Sequence, residues 1–77
     1  MLQTITRFFA QPIARRDDGA RVTDGLIECV SAEGAVDTAA KMARSPGYCA
    51  AWAFSRTGYP EWEFYGDPQT LARYGGL

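Results

Sequence analysis

A chain's chemistry is limited first by its nucleophiles, bases and metal ligands, and here that set is small. The sequence contains no histidine, which removes Ser-His and Cys-His pairs and every imidazole metal ligand at once. Cys29 and Cys49 are its only cysteines. They are too few and too far apart for a zinc site, which draws on four nitrogen or sulfur ligands in close pairs. Each lies inside an apolar run and reads as a buried free thiol. A disulfide between them would need an oxidising compartment, which nothing in the sequence suggests. Glu61 and Glu63 project from one side of an extended segment, the geometry of an acid and base pair, but a solvated charged face accounts for them without catalysis. Gly19, Gly25, Gly47 and Gly58 fall singly at expected bends and form neither a dinucleotide fingerprint nor a P-loop. No residue set supplies nucleophile, base and oxyanion donor together. The chain therefore reads as a non-enzyme with no catalytic residue, no cofactor and no metal.

Binding chemistry has more material. Eight aromatic residues fall between Tyr48 and Tyr74. A thin core needs large side chains, and Trp52, Phe54, Trp62 and Phe64 are assigned to it. Tyr59 and Tyr65 are then expected to be partly exposed, beside Arg56, Glu61, Glu63 and Asp67. Tyrosine and arginine amid mixed charge are favoured at protein interfaces. Arg56, Tyr59, Glu61, Glu63, Tyr65 and Asp67 are therefore the candidate partner-binding residues. A second reading gives phosphate contacts to Arg7, Arg15, Arg16 and Arg21, with Arg56 after an aromatic strand as part of a stacking surface. It ranks below protein binding, because a net charge of -1 without a basic stripe leaves little counterion release to drive it.

The elements that must position these residues follow from periodicity. Thr4 to Ala14 alternates roughly as a half-buried strand, and Pro12, lacking a ladder donor, makes it an edge strand or one bulged near that residue. Arg16-Asp17-Asp18-Gly19 is hairpin-turn chemistry. Arg21 to Val30 is the returning strand, with a bulge available at Asp24-Gly25. Ser31 caps a helix in which Val36, Ala39, Ala40 and Ala43 recur at helical spacing, and Pro46-Gly47 ends it. Tyr48 to Ser55, almost wholly apolar, is the centre of the sheet. Thr57 to Pro60 reads as a turn and Glu61 to Tyr65 as a further strand. Asp67-Pro68 opens a short helical turn in which Leu71 and Tyr74 lie three apart. The expected fold is α+β: a small antiparallel sheet in ββαββ order, one main helix across one face and a short C-terminal helical turn. The alanine-rich helix is expected over the bulky face of the central strand, formed by Ala50, Trp52 and Phe54.

At 77 residues, 47% apolar and 22% charged, residues 1-77 read as one domain, and a domain of this size buries only about 60% of its unfolded surface. Such a core rarely supplies more than about 3 to 5 kcal/mol, so a larger protein partner is expected to support it or, as the runner-up reading, a homodimer: a self-associating orphan bacterial domain with a structural or regulatory role that pairs through its uncovered sheet face. There is no leader-like segment and no run of 18 apolar residues, which points to a cytoplasmic protein away from membranes.

From Tyr48 to Gly75 the chain, with its Ala-Phe-Ser-Arg-Thr-Gly segment and Leu-Ala-Arg-Tyr-Gly ending, resembles small bacterial α+β proteins without an assigned activity. In size, mixed surface charge and lack of catalytic groups it also resembles the small proteins of phages and mobile elements, including anti-CRISPR inhibitors. That second likeness is one of type. It implies a protein that acts stoichiometrically, occupying a surface on a larger nuclease or its ribonucleoprotein complex and blocking access by nucleic acid.

Overall fold

The computed structural model describes residues 3–76. They form one six-stranded antiparallel sheet and one α-helix: β1 (Ile5–Arg15), β2 (Arg21–Thr23), β3 (Ile27–Cys29), α1 (Ala32–Ala43), β4 (Tyr48–Tyr59), β5 (Phe64–Tyr65) and β6 (Gln69–Gly75). The α+β class is as expected, with three strands on each side of the helix rather than the ββαββ order. β1 and β4 lie side by side at the centre. β2 and β3 both pair with the outer side of β1, and β5 and β6 both pair with β4. Each flanking strand is thus one broken strand.

The break between β2 and β3 is explained by Pro12. β1 is a central strand, not an edge strand, and the missing proline donor has to fall where no ladder bond is needed. The Pro12 carbonyl accepts from the Asp24 backbone N–H at 3.0 Å, so its nitrogen faces the same side, opposite the interruption at Asp24 to Leu26. The Gln11 side chain fills this gap, its Nε2 donating to the carbonyls of Asp24 (2.6 Å) and Pro12 (3.0 Å). The expected irregularity near Pro12 is present: the register with β4 shifts between Ile13 and Ala14.

The C-terminal helical turn is replaced by strand β6. Its register with β4 shifts between Ala53 and Phe54, which leaves Leu71 unopposed. That bulge puts Leu71, Ala72 and Tyr74 toward the helix, and a three-residue spacing that imitates a helix comes from a strand instead. β4 also runs on through the expected turn at Thr57 to Tyr59. Only Phe64 and Tyr65 of the strand expected over Glu61 to Tyr65 are extended, because Pro60–Trp62 forms a turn of 3-10 helix.

α1 begins where Ser31 accepts from the Gly34 N–H through its side chain at 3.0 Å. It packs on the small face of the sheet, not the bulky one. Ala35 and Ala39 of the helix meet Ala10, Ala51 and Ala53 of the strands, all at 0% exposure. Small side chains on both surfaces let helix and sheet approach closely, whereas large rings would hold them apart. The rings pack against one another on the other face: Phe9 stacks on Phe54 across β1 and β4 at 5.3 Å, and Trp52 lies 4.3 Å from Phe54.

Both cysteines are free. Cys29 lies opposite Phe8 and Cys49 beyond the partner of Ile13, a separation along β1 of about 17 Å at 3.3 Å per residue. Disulfide geometry requires Cα atoms closer than about 7 Å.

Candidate docking surface

The site begins at the far end of β4, where the chain turns back through Pro60–Trp62 into β5. Three features fix this tip. Glu63 adopts a left-handed conformation (φ 51°) and its N–H donates to the Pro60 carbonyl at 3.2 Å. The Gly66 N–H donates to the Thr57 carbonyl at 3.0 Å. Arg56 reaches from β4 to donate through Nε to the Gly66 carbonyl at 2.9 Å and through Nη2 to that of Tyr65 at 3.4 Å. Gly58 allows the return strand to lie this close, since a Cβ there would overlap the Phe64 carbonyl and stand 2.6 Å from the Tyr65 Cα.

This geometry separates the six predicted residues. Glu61 and Glu63 are exposed at the tip, and Asp67 is exposed on the link to β6. None of the three takes part in either ion pair formed among the described residues, Arg7–Glu28 and Arg16–Asp18. Tyr59 is half-buried, its ring 5.1 Å from that of Trp62. Arg56 and Tyr65 are half-buried on the helix-free face, where Tyr65 lies opposite Gly58. There the Arg7 guanidinium stands 5.3 Å over the Tyr65 ring, and Arg7, Phe9, Arg56 and Tyr65 line a cleft of about 70 Å³. The Tyr65 hydroxyl is buried without a partner among the described residues.

The residues missed by sequence reasoning are Trp62 and Phe64. Alternation assigned both to the core, yet they are 62% and 61% exposed. Pro60 was the available signal, because its fixed φ favours entry into a 3-10 turn and breaks the alternation that Glu61 to Tyr65 otherwise imitates. The tip therefore presents two large aromatic side chains interleaved with two carboxylates. Such side chains bind by burying area against a partner, with the charges setting orientation.

At the other end of the sheet, Asp24 ties the gap to β4. The Tyr48 hydroxyl donates to Asp24 Oδ2 at 2.9 Å, and the Gly25 N–H donates to Oδ1 at 2.8 Å. The Gly25 bond, then the Tyr48 bond, holds the Asp24 carboxyl below its usual range. The same carboxylate raises the Tyr48 hydroxyl above its usual range, by hydrogen bonding first and charge second. No group of three or more histidine, cysteine, aspartate or glutamate side chains among the described residues is placed to hold a metal ion, and no helix among them is long and apolar enough to cross a membrane. In comparisons with known proteins, the chain matches no family model, no curated protein and no solved structure.

Proposed function

We propose that the chain is a non-enzymatic protein-binding module that docks through its tip on a basic surface of a larger protein. Trp62 and Phe64 are the residues that become buried; Glu61, Glu63 and Asp67 form a charged rim. The reading rests on one observation: two aromatic side chains two positions apart, each more than 60% exposed, among carboxylates that form no ion pair among the described residues. Exposed aromatic residues of this kind are where binding energy concentrates when a partner excludes water from them. The sharpest form of the reading is an anti-CRISPR type stoichiometric inhibitor. Its carboxylates would occupy arginines and lysines that otherwise hold nucleic acid, and block an RNA-guided nuclease sterically.

The test is retention of effector subunits on the tagged chain from a bacterial lysate containing RNA-guided nuclease complexes, followed by affinity measurement with the purified complex. Stoichiometric retention is expected, together with a loss of at least about 2 kcal/mol of binding for the Trp62→Ala, Phe64→Ala double variant, the scale of interface hot spots. Binding by that variant at unchanged affinity would remove the tip as the docking site. Retention of nothing but the chain itself would remove the inhibitor reading.

A further inference from the structure

We propose that the helix-free face of the sheet binds single-stranded nucleic acid, with its arginines on phosphates and Phe9 and Trp52 against bases. This goes beyond the tip and uses a different surface. The strand register puts Arg7 opposite Arg56 and Arg15 opposite Arg21, and places Arg73 beside Trp52. Alternation from Phe9, Ile13 and Phe54 sets all five on the face that α1 does not cover. Five of the chain's eight basic residues thus share one sheet face, although the chain as a whole carries a net charge of -1.

Like charges directly opposite each other weaken a sheet, and this face has two such pairs. Among its strand residues the only carboxylate is Glu28, which stands 3.7 Å from Arg7 Nε with both side chains about half exposed. The positive charge is therefore left for something outside the chain. Part of it is already positioned. Arg56 is held by the carbonyls of Tyr65 and Gly66, and Arg7 lies over the Tyr65 ring, so both guanidiniums border the cleft of about 70 Å³. A small cleft bordered by two guanidiniums suits the oxygens of a phosphate. The Tyr65 ring lines the same cleft, and its buried hydroxyl has no hydrogen-bond partner among the described residues.

Next to the cleft, the half-buried rings of Phe9 and Trp52 flank Phe54. Aromatic side chains beside cationic ones on an open sheet are the requirement for holding unpaired bases, which stack without regard to sequence. A duplex hides its base faces and could use only the charges. Charge complementarity argues for an anion, and the adjoining rings argue for one that carries planar groups.

The experiment uses the full chain with Trp62→Phe, which leaves Trp52 as its single tryptophan, titrated with an oligothymidylate of about twelve nucleotides. Saturable quenching of Trp52 is expected, with an affinity that falls as salt rises at a log-log slope of about -2 for three phosphates contacted. Arg7→Glu with Arg73→Glu, both exposed positions, should weaken binding at least about tenfold, with the circular dichroism spectrum of the folded chain retained. Trp62→Ala with Phe64→Ala should leave it intact, which separates this face from the tip. No quenching at about 50 mM salt would overturn the proposal. Equal affinity for a duplex of the same length, or for polyglutamate of matched charge, would also overturn it, by showing a general anion surface or an acidic-peptide site.

Discussion

Asp24, although exposed, ties several parts of the sheet together. Its N–H bonds to Pro12, its carbonyl accepts from Gln11 and its carboxylate accepts from Gly25 and Tyr48. Two titrations report on this junction. Because the carboxyl is held below its unfolded value of about 3.9, its contribution to stability is present above that pH and lost as pH falls through the lowered folded value. The Tyr48 hydroxyl is shifted the other way. Its contribution is present below about 10 and lost as pH rises through the raised folded value. In Tyr48→Phe, the Asp24 carboxyl midpoint, followed by carbon NMR, is expected to rise toward the ordinary range. It should stay below that range, because the Gly25 bond, the larger cause, remains. An unmoved midpoint would show that the hydroxyl does not hold the carboxylate in solution.

At the scale of elements, the approach of β5 to β4 depends on Gly58. Gly58→Ala should push the Phe64 carbonyl away, cost about 1–3 kcal/mol as overpacking does, and appear in urea melts as a lower midpoint. A stability equal to that of the parent chain would mean that β5 is not seated there. The helix, the first hairpin and the central place of Tyr48 to Ser55 were legible because each has a local cause: a Ser31 cap, an Asp-Gly turn, an unbroken apolar run. What failed depended on pairing. Pro12 marked a strand as peripheral or bulged; the irregularity is there, but a gap opposite the proline also lets that strand be central. Leu71 and Tyr74 took a helical spacing from a bulge that exists only because β4 offers a partner. Trp62 and Phe64 alternated like core residues, but Pro60 and the left-handed Glu63 turned them outward. The six predicted partner-binding residues were found near one end of the molecule, divided between its tip and the helix-free face. Alternation along one strand could not show which side each would take.

The whole molecule is long and thin, 49 × 24 × 15 Å, with β1 and β4 along its length, since strands of 11 and 12 residues span about 36 to 40 Å. The acidic tip lies at the end of β4, and the arginines spread along one broad face. A partner met by the tip should be steered by charge and retained by aromatic burial. Raising salt should therefore slow association, whereas Trp62→Ala should mainly speed dissociation; stopped-flow mixing with the purified partner separates the two. An association rate indifferent to salt would remove the carboxylates from the encounter. The split flanking strands have one more consequence. An unbroken outer strand is a template on which further chains can add, the usual start of ordered aggregation. Here one border consists of two three-residue pieces on either side of Asp24 to Leu26, and the other carries a bulge at Leu71 and a break before Gln69. The same gap that accommodates a proline at the centre of the sheet leaves this small, alanine-cored protein without a straight border for another copy to extend.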